Sequence, residues 1–278
     1  MYRVVFYSPD THIEYDGWTP YKHGVGGGVT SRVRMSRALA HLGHDVVMVV
    51  NCPKQDRIQG VAYSPLEEVG SIDADVVIVN SSGGEFDLAP EVGLKISAQL
   101  KILWISGKAQ PKNVMPHSYD FLYAKSNFLR DVVECDWRSP AEKIFVAYNG
   151  FDEDLFQIAE REGLARDPFR LIYASHPKKG LDSAISILRK LREVEPRFHL
   201  VVCGGPLLWG EREEFSISEP NVEYLGLIGQ KVLAEELMKS SFSINLQSIE
   251  EGFGMLVTES MRAGCVVVAS SVGAYPEL

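Results

Sequence analysis

Cysteine is sparse in this chain, and no two cysteines lie close together. The four, at positions 52, 135, 203 and 265, are scattered over 278 residues with no C-x-x-C pair. That argues against a structural zinc and for reduced thiols packed as small apolar side chains, as in a cytoplasmic protein. Long apolar runs are missing too. Nothing approaches 18 consecutive apolar residues, so no membrane span is expected. Positive charge is not in excess: 28 Lys and Arg face 37 Asp and Glu, a net charge of −9. A general basic face for nucleic acid is therefore excluded, although a local basic pocket is not. The first residues, MYRVVFYSPD, read as the start of a strand and not as a signal peptide. The dinucleotide fingerprint is absent as well. Val29 stands where G-x-G-x-x-G needs its last glycine, and the loop from Ser8 to Gly28 is too long for that turn. Asp73-Ala74-Asp75 precedes an expected strand, where such pairs usually solvate a loop, so no metal is expected there.

What is present is alternation. Hydrophobic content of 45% and charged content of 23% suit a globular protein. Short apolar runs at 2–7, 45–50, 75–79, 101–105, 121–124 and 144–147 alternate with helical patterns at 29–42 and 126–135. The alternation then repeats. Strands are expected at 170–174, 198–203, 222–225, 242–246 and 265–269, and helices at 181–194, 230–239 and 256–263. Continuous apolar strands separated by helices predict an α/β protein with doubly wound parallel sheets. Tyr148-Asn149-Gly150-Phe151-Asp152 lies between the halves and reads as a linker. Two domains follow, 1–150 and 151–278.

The most informative segment is EGFGMLVTESMRAGCVVVASSVGAYPEL at 251–278. Glu251 and Glu259 stand eight apart, with Gly252-Phe253-Gly254 and the start of a helix between them. A glycine turn opening a helix offers free backbone N–H groups and the positive end of a dipole, which suits a diphosphate. Carboxylates before and inside the helix can accept hydrogen bonds from sugar hydroxyls. Together they suggest a nucleotide-sugar. His176-Pro177-Lys178-Lys179-Gly180 follows one expected strand, and ligands of open α/β sheets sit beyond such strand ends.

The string Glu251-Gly252-Phe253-Gly254, Glu259, Gly264 and Val266-Val267-Val268-Ala269 closely resembles the donor site of retaining glycosyltransferases of family 4. Cys265 replaces the proline usual in that family. The resemblance implies the GT-B fold, two Rossmann-like domains facing across a cleft, with an N-terminal acceptor domain and a C-terminal donor domain. It implies that Lys179 and Glu251 are catalytic, with Lys179 neutralising the departing diphosphate and Glu251 contacting the transferred sugar. Lys178 would add a second charge, and Gly252, Phe253 and Gly254 would offer backbone N–H groups. Glu259 would bind the ribose, the alternative being a glutamate on a helix surface. Gly27 and Gly28 match the family's Gly-Gly, the alternative being a flexible loop. Gly204, Gly205 and Gly226 would line the nucleotide pocket or be plain turn glycines. The family's upstream arginine is absent. No histidine stands where the family often has one, after Trp104-Ile105-Ser106-Gly107-Lys108, and neither His23 nor His117 is assigned as a base.

The implied function is transfer of a sugar from a UDP-, GDP- or ADP-linked donor to a carbohydrate, lipid or other hydroxyl acceptor, with retention and without a cofactor or metal. A nucleotide-sugar epimerase and a non-catalytic nucleotide-sugar-binding or scaffold protein are the alternatives. A cytoplasmic location is expected, with peripheral contact at the inner face of a membrane and a homodimer both left open. Relatives of this kind usually continue past the equivalent of Leu278. The donor domain is therefore expected to be incomplete, with apolar surface near Val267 and Tyr275 partly uncovered.

Overall fold

The computed structural model describes residues 1–81, 94–111 and 115–278. They form two compact units. Unit 1 holds Met1–Trp18 and Gly28–Asn149; unit 2 holds Thr19–Gly27 and Gly150–Leu278.

Unit 1 is built on an eight-stranded sheet of order β3-β4-β2-β1-β5-β6-β7-β8. Its strands are β1 Arg3–Tyr7, β2 Asp45–Val50, β3 Asp56–Ile58, β4 Val61–Pro65, β5 Ser71–Ser81, β6 Lys95–Ile105, β7 Phe121–Ala124 and β8 Ile144–Val146. All neighbours pair in parallel except β3 and β4. Those two form a hairpin whose turn residues, Gln59 and Gly60, both have positive φ (51° and 85°). Such a two-residue turn matches the twist of its strands. The sequence reading missed this hairpin because β3 is three residues long and largely exposed. It also stopped β5 and β6 short, since their first halves are polar.

Alternation along the strands sends side chains to two faces. On one face Val5, Val77, Val79, Leu103, Ile105 and Leu122 pack beneath α3, Asn127–Cys135, through Leu129, Val132 and Val133. Ser126 caps that helix, its hydroxyl accepting the Leu129 N–H at 3.0 Å. An N-cap of this kind is worth about 1 kcal/mol. Phe6, Trp104 and Tyr123 alternate to the other side as a buried aromatic row, with ring centroids 6.3 and 5.0 Å apart. The expected helix at 29–42 is α2, Gly27–His41, beginning two residues early; the short α1 is Thr19–Lys22.

Unit 2 carries a five-stranded, fully parallel sheet of order β11-β10-β9-β12-β13. The strands are β9 Asp167–Ala174, β10 His199–Cys203, β11 Val222–Gly226, β12 Ser240–Asn245 and β13 Val266–Ala269. The helices are α4 Glu153–Arg161, α5 Leu181–Val194, α6 Gln230–Lys239 and α7 Met255–Arg262. Leu171 and Tyr173 of β9 face α5, with Leu181, Ala184 and Leu188 above them. Ile172 faces the other way, towards Phe156 of α4 and Ala234 and Leu237 of α6. Both faces are covered, which is why these strands read as unbroken apolar runs. Helix α4 was not expected; only Phe156 and Ala159 of its nine residues are buried, too few to stand out as an apolar face.

The division of the chain departs from 1–150 and 151–278 in two respects: Gly150 goes with unit 2, and so does a segment far upstream. Residues 19–27, expected with the first domain, belong to unit 2. The physical reason is a close backbone approach. A Cβ on Gly229 would lie 2.0 Å from the Tyr21 carbonyl oxygen, and one on Gly24 would lie 2.8 Å from that of Ile228. The Tyr21 hydroxyl also donates to Asp152 at 3.1 Å. Only glycines at 24 and 229 let this segment lie flat against the turn before α6.

Candidate functional site

In unit 2 every strand runs the same way, so the loops after β9, β10, β11 and β12 leave from one edge. The chain lays down β9, β10 and β11 outward, then returns to place β12 on the opposite side of β9. The strand order thus reverses between β9 and β12, and the strand ends at such a reversal are the usual ligand position in open α/β sheets.

Two of the predicted residues meet there. Lys179 comes from the loop after β9 and Glu251 from the loop after β12, and their side chains form an ion pair. Both are mostly buried, at 19% and 22% side-chain exposure. The backbone that brings them together depends on Gly180. It has φ 102°, and a Cβ there would lie 1.6 Å from the Leu246 carbonyl oxygen. Any other residue would push the lysine loop off the end of β12.

The Gly-Phe-Gly turn is anchored, not loose. Phe253 is buried, and Gly254 has φ 95° with space for a Cβ blocked by the Tyr275 ring at 2.4 Å. The Tyr275 hydroxyl accepts from Gln247 Nε2 at 2.9 Å. The Glu251 carbonyl accepts the Ala274 N–H at 2.9 Å. Burial, reinforced by the negative charge of Glu251, drives the Tyr275 phenol well above its ordinary pKa, so it remains a neutral hydroxyl. Tyr275 supports the turn while remaining only half-buried, and Val267 beside the exposed Val266 is half-buried too, so the apolar surface expected here is partly uncovered.

Glu259 lies on α7 and is only 4% exposed. It is not a glutamate of a helix surface. Its neighbour Ser260 is fully buried and bonds Ser243 Oγ at 2.8 Å, so a polar seam runs beneath this part of α7. Gly204 follows β10, and its N–H donates to the carbonyl of Gly226, the last residue of β11, at 2.8 Å. Both stand on the same edge as the pair. Gly27 lies against α7: a Cβ on it would sit 3.3 Å from Met255 Sδ. Gly28 belongs to unit 1, at the start of α2, with open space around it. The pair Gly27-Gly28 is therefore the beginning of a helix and not a flexible loop. Lys178 points elsewhere than Lys179, since its ammonium pairs with Glu211 at 2.8 Å and is largely exposed.

Three features escaped the sequence reading. His176, before the lysines, is buried to 1% exposure and stacks on Trp209. In unit 1 an equivalent reversal of strand order falls between β1 and β5. A buried cluster fills it: Arg32 Nη1 lies 3.3 Å from Asp10 Oδ2 and donates to Asn80 Oδ1 at 2.5 Å. Asn80 passes the network to Ser106 at 3.2 Å. Among the described residues Asp10 Oδ1 and Arg32 Nε have no hydrogen-bond partner. No sequence signal marks this cluster beyond polar residues beside apolar ones. Finally, Asp152-Glu153-Asp154 is a second Asp-x-Asp string. It opens α4, with Asp152 held by Tyr21 and Glu153 by Arg262 at 2.5 Å. Asp73 and Asp75 lie inside β5, not before it, near its starting end; Asp75 accepts the Arg3 N–H at 2.7 Å and a Gln99 amide N–H at 3.1 Å. Among the described residues no group of three or more His, Cys, Asp or Glu is placed to hold a metal ion.

Residues 158–278 match the family model described as glycosyl transferases group 1. The match spans nearly all of unit 2. AviGT4, a glycosyltransferase involved in avilamycin A biosynthesis, superposes with a TM-score of 0.69 over 100% of this chain and 81% of its own, at 17% identity. Anabaena HepE, solved in complex with UDP and glucose, superposes with a TM-score of 0.62 over 100% of this chain and 83% of its own, at 14% identity. The fold is GT-B. Sequence relatives point to the same class. An uncharacterized glycosyltransferase of Methanocaldococcus jannaschii is 27% identical over 55% of this chain and 43% of its own length. The MMP alpha-(1->4)-mannosyltransferase of Mycolicibacterium hassiacum is 28% identical over 63% and 42%. The matched region spans less than half the length of each of these two relatives. No helix among the described residues is long and apolar enough to cross a membrane.

Proposed function

We propose that this protein is a glycosyltransferase of the retaining kind. On this reading unit 2 binds a nucleotide-sugar and the sugar passes to a hydroxyl acceptor without a metal. The observation that carries the proposal is the meeting of Lys179 and Glu251 at the strand reversal of unit 2, beside the buried Glu259. The group 1 glycosyl transferase match over the same residues supports it, as does the complex of HepE with UDP and glucose.

The chemistry follows from the groups present. The bond between the anomeric carbon and the diphosphate breaks, and negative charge develops on the departing phosphate. The Lys179 ammonium meets that charge, favouring the transition state over the ground state. A cation fixed in a mostly buried site acts there without reorganising. A diphosphate arriving at this strand edge competes with Glu251 for Lys179, which frees the Glu251 carboxylate to accept from hydroxyls of the sugar. Glu259 accepts from the ribose hydroxyls, and the backbone N–H groups of Gly252, Phe253 and Gly254 face the phosphates. The acceptor hydroxyl forms the new bond on the face the phosphate leaves and gives its proton to that phosphate, so no side-chain base is required.

The deciding experiment is incubation with a panel of UDP-, GDP- and ADP-sugars and simple hydroxyl acceptors, with products analysed by mass and anomeric configuration. A glycoside of unchanged configuration is expected. An inverted product removes the retaining mechanism. A free epimeric sugar nucleotide would instead assign an epimerase, and nucleotide-sugar binding with no product a non-catalytic binder.

A further inference from the structure

His176 is buried although its loop stands at the ligand edge of unit 2. Its Nδ1 accepts the Lys178 backbone N–H at 3.2 Å. Its Nε2 lies 3.3 Å from Glu211 Oε2, the same carboxylate that holds the Lys178 ammonium. Its ring stacks on Trp209 with centroids 3.7 Å apart and planes 10° from parallel. The Lys179 ammonium sits 5.7 Å from the centre of that Trp209 ring. Finally, the His176 carbonyl accepts both the Tyr173 hydroxyl at 2.6 Å and the Lys179 N–H at 2.9 Å. One residue thus touches the groups that fix both lysines. Because Nδ1 accepts a hydrogen bond, the ring proton resides on Nε2, and the imidazole is neutral.

We propose that His176 is a positioning residue, which through its neutral imidazole locks the lysine loop so that Lys179 is held ready for a diphosphate. The role rests on the donor-binding reading above. His176 acts through the loop and touches no substrate itself. A second ring proton would place an N–H against the Lys178 N–H, undo that bond and set a positive charge beside Lys178 and Lys179. Burial resists that protonation most. Glu211 favours it, the two lysines oppose it, and the group's pKa lies below its ordinary value. Tyr173 stays a neutral donor, since burial drives its pKa up. Glu251 stands beyond Lys179 and is paired with it. The frame is therefore closed at neutral pH and opens in acid.

The test has two readings on the whole chain. Imidazole ¹⁵N resonances of His176 are followed from pH 8 to 4, together with the Lys178 amide. The expected result is the Nε2–H form at neutral pH and a single step below about 6.5 in which the Lys178 amide shifts as well. An Nδ1–H form, or a step that leaves the Lys178 amide untouched, overturns the proposal. Affinities for UDP, GDP and ADP are then measured by calorimetry for wild type, His176→Phe and His176→Asn, with melting curves to confirm folding. Phenylalanine keeps the stack and loses both nitrogens; asparagine restores an acceptor for the loop. His176→Phe should bind the preferred nucleotide about tenfold more weakly, and His176→Asn should recover most of that loss. Wild-type affinity should fall over the pH interval of the imidazole step, while that of His176→Asn stays flat. Equal affinity for folded His176→Phe and wild type overturns the positioning role alone. Failure of wild type to bind any of the three nucleotides overturns the donor reading, and the positioning role with it.

Discussion

Lys179 and Glu251 are 72 residues apart in sequence and meet side chain to side chain where unit 2 reverses its strand order. Each retains about a fifth of its side-chain exposure and faces the sheet edge where ligands bind. A pair of this kind holds two opposite charges ready without satisfying them permanently.

Replacing Lys179 by alanine should reduce turnover more than donor binding. Losing a cation aimed at developing charge costs roughly 2–4 kcal/mol of transition-state stabilisation. Steady-state kinetics on the donor found in the panel decide this. An unchanged kcat/KM would remove Lys179 from the chemistry.

Glu259→Gln should weaken nucleoside diphosphate binding by roughly 1–3 kcal/mol, because the ribose hydroxyls lose a charged acceptor while the shape of the side chain is kept. Calorimetry with the free nucleotide tests it. Equal affinities would mean that the buried carboxyl of Glu259 serves only the packing of α7.

On the proposed mechanism chelation should leave turnover intact, because Lys179 would supply the charge that a metal would otherwise supply. Turnover that EDTA abolishes and Mg²⁺ or Mn²⁺ restores would assign the reaction to a metal site.

The buried pair in unit 1 should behave as a structural unit. Asp10 and Arg32 have side-chain exposures of 1% and 3%. Asp10→Ala leaves the guanidinium buried without its counter-charge, a loss of about 3–5 kcal/mol. Replacing both together with apolar residues should recover much of that. Urea unfolding followed by tryptophan fluorescence checks both, and a neutral Asp10→Ala would show that the cluster opens to water.

Stability should fall as pH falls below about 6.5, in part through His176. Its folded pKa lies below the ordinary value, so between the two the unfolded chain binds the extra proton. Stability therefore rises with pH across that window, and His176→Asn should flatten this part of the profile. Melting temperatures from pH 4 to 8 measure it; identical slopes for the two proteins would place the imidazole in water.

Much of unit 2 was legible because its strands are buried on both faces and its helices are strongly two-sided. Helices at 181–194 and 230–239 were read with the bounds they have. That the lysine loop and the glutamate turn share one edge was legible because each directly follows an apolar strand of the same parallel sheet. What was hidden is what depends on long-range approach. Gly24 and Gly229 look like ordinary loop glycines until the backbone of 19–27 is seen against the start of α6. Trp209 and Glu211 lie more than 30 residues from His176, and nothing local announces that they embrace it. Asp10, Arg32 and Asn80 are likewise joined only by the sheet.

The placement of Thr19–Gly27 bears on how the protein can be dissected. The chain passes between the units three times, after Trp18, after Gly27 and after Asn149. Cutting once at the obvious linker does not yield two modules. A fragment beginning at Gly150 would bare the glycine-lined groove before α6 and leave Asp152 without the Tyr21 hydroxyl. Any chimera that exchanges unit 2 with a relative must carry this nine-residue strap along, or graft a matching one from its host.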